Sequence, residues 1–299
     1  MGTMKRRTLL TTAALASAAR AIEPFSRESA KFSGLGLTAY SLKPHMKWWW
    51  GKRRESGTLD IAGFLDYCAE LGLEGAEITS YFFPEPLEKS GIHALRRRAH
   101  LLGLDITGGA MGNNFSFPPG SEENLAHMEY FRRWVDRFSD LGAPVVRVFA
   151  ARGVPEGAGD EQIIRNVVAN LNEALAYAEK RGVMLGLENH DFVKNIDHLM
   201  RILEAIDSDW LGVIWDSANL SPTPDPYGQL ERIAPYAVTA QIKVMTQVDG
   251  KDVPADYARL IGILRNASYR GYVIFEYEED EDPYTAIPGH VQKLRQLIS

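Results

Sequence analysis

Four positions in the second half of the chain carry side chains able to hold a cation or move a proton: Glu188, Asp216, Gln241 and Glu276. Each ends a run of apolar, strand-forming residues. Val183-Met184-Leu185-Gly186-Leu187 runs into Glu188, Leu211-Gly212-Val213-Ile214-Trp215 into Asp216, Val238-Thr239-Ala240 into Gln241, and Tyr272-Val273-Ile274-Phe275 into Glu276. Their separations of 28, 25 and 35 residues each accommodate one strand-and-helix repeat, so in a closed parallel barrel all four point into one mouth at one height. Three carboxylates gathered in a dry cavity repel and raise one another's pKa unless a cation compensates. Two Glu, one Asp and a Gln carbonyl make an all-oxygen shell, which suits Mn²⁺ or Mg²⁺ better than Zn²⁺, for which imidazole or thiolate is the expected ligand. Such a metal, holding a carbonyl and an adjacent hydroxyl, acidifies the C–H between them and stabilises the enediolate left by deprotonation. Glu188 and Glu276, on non-adjacent strands, are placed to approach that carbon from opposite faces, one removing and one returning a proton. The result is an isomerase or epimerase. With a leaving oxygen β to the carbanion the same geometry gives elimination, so a lyase or dehydratase acting on keto-sugars or 3-keto-glycosides is the neighbouring reading. A non-catalytic sugar-binding barrel is the alternative of another class.

Further polar residues cluster around the quartet. Lys243 lies two positions beyond Gln241 and shares its strand face, suited to steadying an oxyanion or to pairing with Glu276 or Glu278. His190, two beyond Glu188, is a candidate acid/base or hydroxyl-binding group, with capping of the next helix as the structural alternative. Arg147, near the end of the fourth strand, either contacts substrate or bridges Glu188. Asn219 is a hydroxyl ligand or a turn residue. Aromatic residues Trp48-Trp49-Trp50 and Tyr81-Phe82-Phe83 follow the first two strands, where they would roof a sugar pocket or bury a subunit interface in a homo-oligomer. The stretch Gly108 to Asn114 reads as flexible backbone. It lacks the G-K-[ST] of a phosphate cradle, which favours an unphosphorylated substrate.

The elements that must position these groups alternate regularly. Strand-like runs occupy Leu35 to Tyr40, Gly75 to Thr79, Leu104 to Gly108, Pro144 to Phe149, Val183 to Glu188, Leu211 to Asp216, Val238 to Lys243 and Tyr272 to Glu276. Between them lie amphipathic stretches such as Ile61-Phe64-Leu65-Cys68-Leu71 and Ile163-Val167-Leu171-Leu175-Ala178, and a last helix spans about Tyr284 to Leu297. Gly142 and Gly182 stand just past the periodic stretches, where a left-handed residue ends a helix. Strands apolar on both faces imply a parallel sheet covered by helices, and eight repeats imply closure. No G-x-G-x-x-G follows the first strand, which argues against an open dinucleotide-binding sheet. The expected architecture is one α/β domain, a single (β/α)₈ TIM barrel over residues 22–299. Cys68, the only cysteine, rules out a disulfide framework and a multi-Cys zinc knuckle.

Residues 1–21 read as an address. Lys5-Arg6-Arg7 precedes the uncharged stretch Thr8 to Ala19 and small residues in an A-x-A pattern, a twin-arginine-type signal directing export to the periplasm. Its removal shifts the formal charge from −6 to −10. Nucleic acid is then disfavoured as a partner, because phosphate binding needs clustered Lys and Arg. No segment has the ~20 apolar residues of a membrane span.

In the motifs Leu185-Gly186-Leu187-Glu188-Asn189-His190, Trp215-Asp216-Ser217-Ala218-Asn219, Gln241-Ile242-Lys243 and Phe275-Glu276-Tyr277-Glu278, the chain resembles the sugar phosphate isomerase/epimerase-like barrels, related to xylose isomerase, ketose 3-epimerases, inosose dehydratase and endonuclease IV. The resemblance covers essentially the whole chain after the leader. It implies a Glu, Asp, His, Glu quartet holding one divalent metal, with the two Glu as proton donor and acceptor. Carried across, these are Glu188, Asp216, Gln241 and Glu276. Gln241 stands where many members have His, and Asn219 where several have a second His; both departures make the site harder and richer in oxygen. Likeness to endonuclease IV would imply three zinc ions and additional histidines, yet of the seven here only His45 and His190 fall near expected strand ends.

Overall fold

Eight parallel strands close on themselves in the computed structural model of the chain, which describes residues 21–299. They are β1 (Lys31–Thr38), β2 (Gly75–Thr79), β3 (Asp105–Ala110), β4 (Val145–Val148), β5 (Met184–Glu188), β6 (Leu211–Asp216), β7 (Ala237–Lys243) and β8 (Arg270–Glu276). Each pairs with its neighbours in sequence, and β8 closes on β1 with Leu35 opposite Val273 and Leu37 opposite Phe275. A helix follows every strand: α1 (Ile61–Glu70), α2 (Lys89–Leu101), α3 (Glu122–Leu141), α4 (Asp160–Glu179), α5 (Ile196–Glu204), α6 (Pro226–Ile233), α7 (Tyr257–Asn266) and α8 (Pro283–Ile298). This is the (β/α)₈ barrel that the alternation of apolar runs and amphipathic stretches implies.

All six residues of β6 are buried, because the barrel interior covers one face and the helices the other. α3 shows the complementary pattern. Its buried Met128, Phe131, Trp134, Val135, Phe138 and Leu141 recur at helical spacing and face the sheet. Ser121 opens that helix by accepting from the Asn124 N–H, and Gly142, at φ +90°, ends it where a side chain would be strained. Cys68 is a buried free thiol.

Several boundaries differ from the sequence expectation for identifiable reasons. β1 stops at Thr38, whose hydroxyl accepts from the Tyr40 N–H and starts a 3₁₀ turn over Ala39–His45. β4 ends before Phe149 because the Phe149 N–H is taken by the side chain of Asn113 (3.0 Å), which also donates to the Phe149 carbonyl (2.9 Å). Buried Asn113 thereby pins the stretch Gly108 to Asn114, which reads in sequence as flexible. Two short hairpins decorate the mouth, Trp48–Trp49 with Lys52–Arg53 and Met245–Val248 with Lys251–Pro254. The second turns at Asp249-Gly250, both at positive φ, the dipeptide favoured in tight hairpins.

Residues 21–30 run beneath the barrel, with Phe25 N–H donating to the Pro235 carbonyl and Arg27 Nη2 to the Ala237 carbonyl at the start of β7. The leader expected over residues 1–21 lies outside the described residues except for its last position. Among the described residues no helix is long and apolar enough to cross a membrane.

Candidate active site

The C-terminal ends of the strands surround a cavity of about 260 Å³, whose polar lining includes Glu77, Arg147, Glu188, Gln241, Lys243 and Glu276. Strand register places these groups side by side. Asp216 is opposite Gln241 across the β6–β7 pair, and Lys243 is opposite Glu276 across β7–β8. Buried Asn189 holds β5 to β6 by donating to the carbonyls of Asp216 (2.9 Å) and Asn219 (2.8 Å) while accepting from the Asp216 N–H (2.9 Å). Ser217 holds β6 to β7 by accepting from the Lys243 N–H at 2.9 Å. The strand ends are thus fixed by side-chain bonds as well as by the ladder, which gives the groups they carry a defined geometry.

Lys243 stands among the carboxylates. Its Nζ is 2.5 Å from Glu278 Oε2, 3.4 Å from Asp216 Oδ2 and 3.6 Å from Glu276 Oε2. Burial works to discharge the ammonium, but Asp216, Glu276 and Glu278 hold its pKa well above the ordinary lysine value. The single ammonium does not satisfy all three. Burial, aided by Glu278 and Asp216, pushes the Glu276 carboxyl well above the usual range against the pull of Lys243. Arg147 plays the corresponding part for Glu188, with its Nε 3.4 Å from Glu188 Oε2 and its Nη2 donating to the Tyr81 hydroxyl at 3.3 Å. Asp216 is fully buried, and its Oδ1 accepts from the backbone N–H groups of Ala218 and Asn219, both at 2.8 Å.

Glu77, which the sequence reading did not single out, belongs to the same constellation. Its Oε1 accepts from Gln241 Nε2 at 2.8 Å. A carboxylate only accepts, so it turns the amide nitrogen of Gln241 toward itself and the amide oxygen the other way. Burial pushes Glu77 up to about 7, opposed by Arg147 and by hydrogen bonds from Thr38 and Gln241. One sequence signal for it exists: a carboxylate inside the apolar run Gly75-Ala76-Glu77-Ile78-Thr79.

Glu188 Oε2, Asp216 Oδ2 and Gln241 Oε1 are buried and have no hydrogen-bond partner. Away from solvent, two cations, Arg147 and Lys243, face four buried carboxylates, Glu77, Glu188, Asp216 and Glu276, while Glu278, Lys43 and Arg152 lie at the exposed rim. Orphaned oxygens and an excess of buried negative charge both fit a hard cation. Among the described residues no three His, Cys, Asp or Glu side chains approach one another as closely as a metal shell requires. Lys243 and Arg147 occupy the space between them.

The remaining expected site residues divide. His190 lines the cavity, its ring 4.8 Å from that of Phe149 and its Nδ1 3.1 Å from Asp191 Oδ2. It makes no side-chain cap to the turn that follows. Trp49 and Tyr81 also line the cavity, and Trp50 stacks on Tyr81 at 4.2 Å. Asn219 takes the turn position of its two expected readings. It falls outside this cavity and lines a neighbouring depression with Lys243 and Glu278, because the chain turns away after Asp216 to satisfy that carboxylate with backbone N–H groups. His45 pairs with Asp282 at 3.1 Å away from the cavity lining.

With fold and site described, the family follows. The chain belongs to the xylose isomerase-like TIM barrel family, whose model matches residues 65–297. It is 26% identical over 210 residues to 3-oxo-isoapionate decarboxylase of Pectobacterium atrosepticum (strain SCRI 1043), covering 70% of this chain and 68% of that one. Among solved structures it resembles 3-keto-D-glucoside 4-epimerase of E. coli, with TM-score 0.67 and 19% identity over 84% of this chain and 99% of that one. It is also similar to a xylose isomerase-like TIM barrel protein of Mycobacterium smegmatis in complex with magnesium, with TM-score 0.68 and 18% identity over 89% and 96% of the two chains. D-psicose 3-epimerase of Clostridium cellulolyticum H10, solved with D-tagatose, gives TM-score 0.65 and 13% identity over 89% and 99%. Of these relatives, two are sugar epimerases and one is a decarboxylase.

Proposed function

We propose that the protein is a divalent-metal-dependent isomerase or epimerase of a small sugar or keto-sugar. The observation that carries this reading is that Glu188 and Glu276, from non-adjacent strands, face one small cavity among orphaned buried oxygens. Glu188, Asp216, Gln241 and Glu276 would hold the cation, Mn²⁺ or Mg²⁺ rather than Zn²⁺ given the absence of imidazole and thiolate from the set. The likeness to a barrel solved with magnesium supports that choice. When bound, the cation polarises a carbonyl and its neighbouring hydroxyl. Glu188 and Glu276 then exchange a proton with the carbon between those oxygens, one on each side. Lys243 steadies negative charge developing on the sugar, and the aromatic faces of Trp49 and Tyr81 receive its C–H surface. The leader-like N terminus supports action in the periplasm.

Incubation of the magnesium- or manganese-replete protein with a panel of ketoses and keto-sugars in D₂O tests the proton-transfer roles. Mass spectrometry should find solvent deuterium at one sugar carbon with the wild type. Glu188→Gln and Glu276→Gln should each lower incorporation by about 10²–10⁴-fold while the barrel stays folded. Exchange retained in both variants would remove the two glutamates from the mechanism. Likeness to a decarboxylase favours a second reading, a lyase acting through the same proton transfers. A same-mass product supports the epimerase reading, and loss of carbon dioxide or water supports the lyase.

A further inference from the structure

The carboxylates occupy one side of the cavity's chemistry; on the same lining Arg147, Arg152 and Lys43 carry the opposite charge. Arg147, Arg152 and His190 all line the cavity and all sit on the ring of Phe149, with the Arg147 guanidinium 3.8 Å from its centroid, that of Arg152 5.8 Å, and the His190 ring 4.8 Å away. Asn113 fixes the backbone of Phe149 through two buried hydrogen bonds, so these groups share a rigid platform. Arg147 is only 7% exposed, yet its Nε and Nη1 have no hydrogen-bond partner. Glu188 attracts its Nε at 3.4 Å without hydrogen bonding, which leaves buried donors of a cavity-lining guanidinium unsatisfied. Arg152 is exposed, and among the described residues no carboxylate lies within ion-pair distance of it. Its charge rests on the rings of Phe149 and Trp50. Lys43 completes the set from the loop after β1, held by the Tyr40 hydroxyl at 3.1 Å and the face of Trp49.

A neutral polyol can accept from guanidinium N–H groups but leaves the charge of two neighbouring guanidinium groups uncompensated. An oxyanion compensates it, and the guanidinium fork matches two of its oxygens. We infer that the substrate is an anionic sugar whose carboxylate or phosphate is held by Arg147 and Arg152 on the Phe149 platform, while its carbonyl end meets the strand-end carboxylates. The cavity lies at the small end of ligand pockets, so it suits one monosaccharide acid rather than an oligosaccharide. The inference rests on the reading of this cavity as a sugar site.

Calorimetric titration of the protein in excess magnesium tests it with three probes. They are D-fructose, D-fructuronate, in which a carboxylate replaces the hydroxymethyl at the end away from the ketone, and D-fructose 6-phosphate. At least one anion should bind about tenfold or more tightly than D-fructose, and the better of the two identifies carboxylate or phosphate. In Arg152→Gln the preference should shrink to about threefold or less, with the unfolding temperature unchanged because the side chain is exposed. D-fructose binding as tightly as both anions, or an undiminished preference in Arg152→Gln, overturns the inference and leaves the sugar site standing. Binding of none of the three overturns the sugar site and the inference together.

Discussion

The two halves of the barrel contribute to the mouth in different ways. β5 to β8 contribute the last or nearly last residue of each strand: Glu188, Asp216, Gln241 with Lys243, and Glu276. β1 to β4 contribute Glu77 and Arg147 from within strands, and loop residues that include Lys43, Trp49, Phe149 and Arg152. The acidic half is built on backbone already held by the ladder, so its geometry follows from closure. The aromatic and cationic half depends on side-chain clamps, among them Asn113 on Phe149. The difference teaches that a barrel aligns an acidic floor by strand register, with side-chain bonds from Asn189 and Ser217 reinforcing a ladder already present. The wall of loop residues has side-chain clamps in place of a ladder.

The contrast can be broken from either side. Lys243→Met removes the ammonium facing Asp216, Glu276 and Glu278 and should cost about 3–5 kcal/mol in urea unfolding without divalent metal, since buried carboxylates lose their partner. Part of that loss should return on adding magnesium. A variant as stable as the wild type would show that the carboxylates of the acidic half do not depend on Lys243. Glu77→Ala crosses the two halves. It frees the Gln241 amide to rotate and should weaken manganese binding by about 10–100-fold, measured by calorimetry. Unchanged affinity would mean that Glu77 does not orient Gln241 for a cation. Smallest is Asn113→Ala, which should cost about 1–2 kcal/mol in thermal unfolding and leave manganese affinity intact. A matching loss of manganese affinity would show that the two halves are not independent.

The acidic half was legible in the sequence because strand-end residues combine two local signals, an apolar run and its polar stop. The same signals left Asn219 open between ligand and turn residue, since the direction of the chain after Asp216 is set by N–H groups turning back to its carboxylate. Glu77 escaped notice because a single charge within a short apolar run has no periodic partner. Asn113 looked like part of a loose glycine-rich stretch, and only the approach of Phe149, 36 residues on, reveals its clamp. The hairpin at Asp249-Gly250 was readable from its turn dipeptide, although the flanking residues lack a clean alternation.

Period and punctuation along the chain determined the eight repeats, their order and the polar residue at the end of each late strand, because these are properties of neighbours in sequence. Only closure of the barrel decided which charges meet. Glu77 and Gln241 are 164 residues apart in sequence yet hydrogen-bonded at 2.8 Å, and that bond orients the amide. The placing of Lys243 among three carboxylates, and of Arg147 beside Glu188 and Phe149, likewise depends on strands brought together in space. Coulombic and hydrogen-bonding energies act over a few ångströms, and distance along the chain does not encode distance across a barrel.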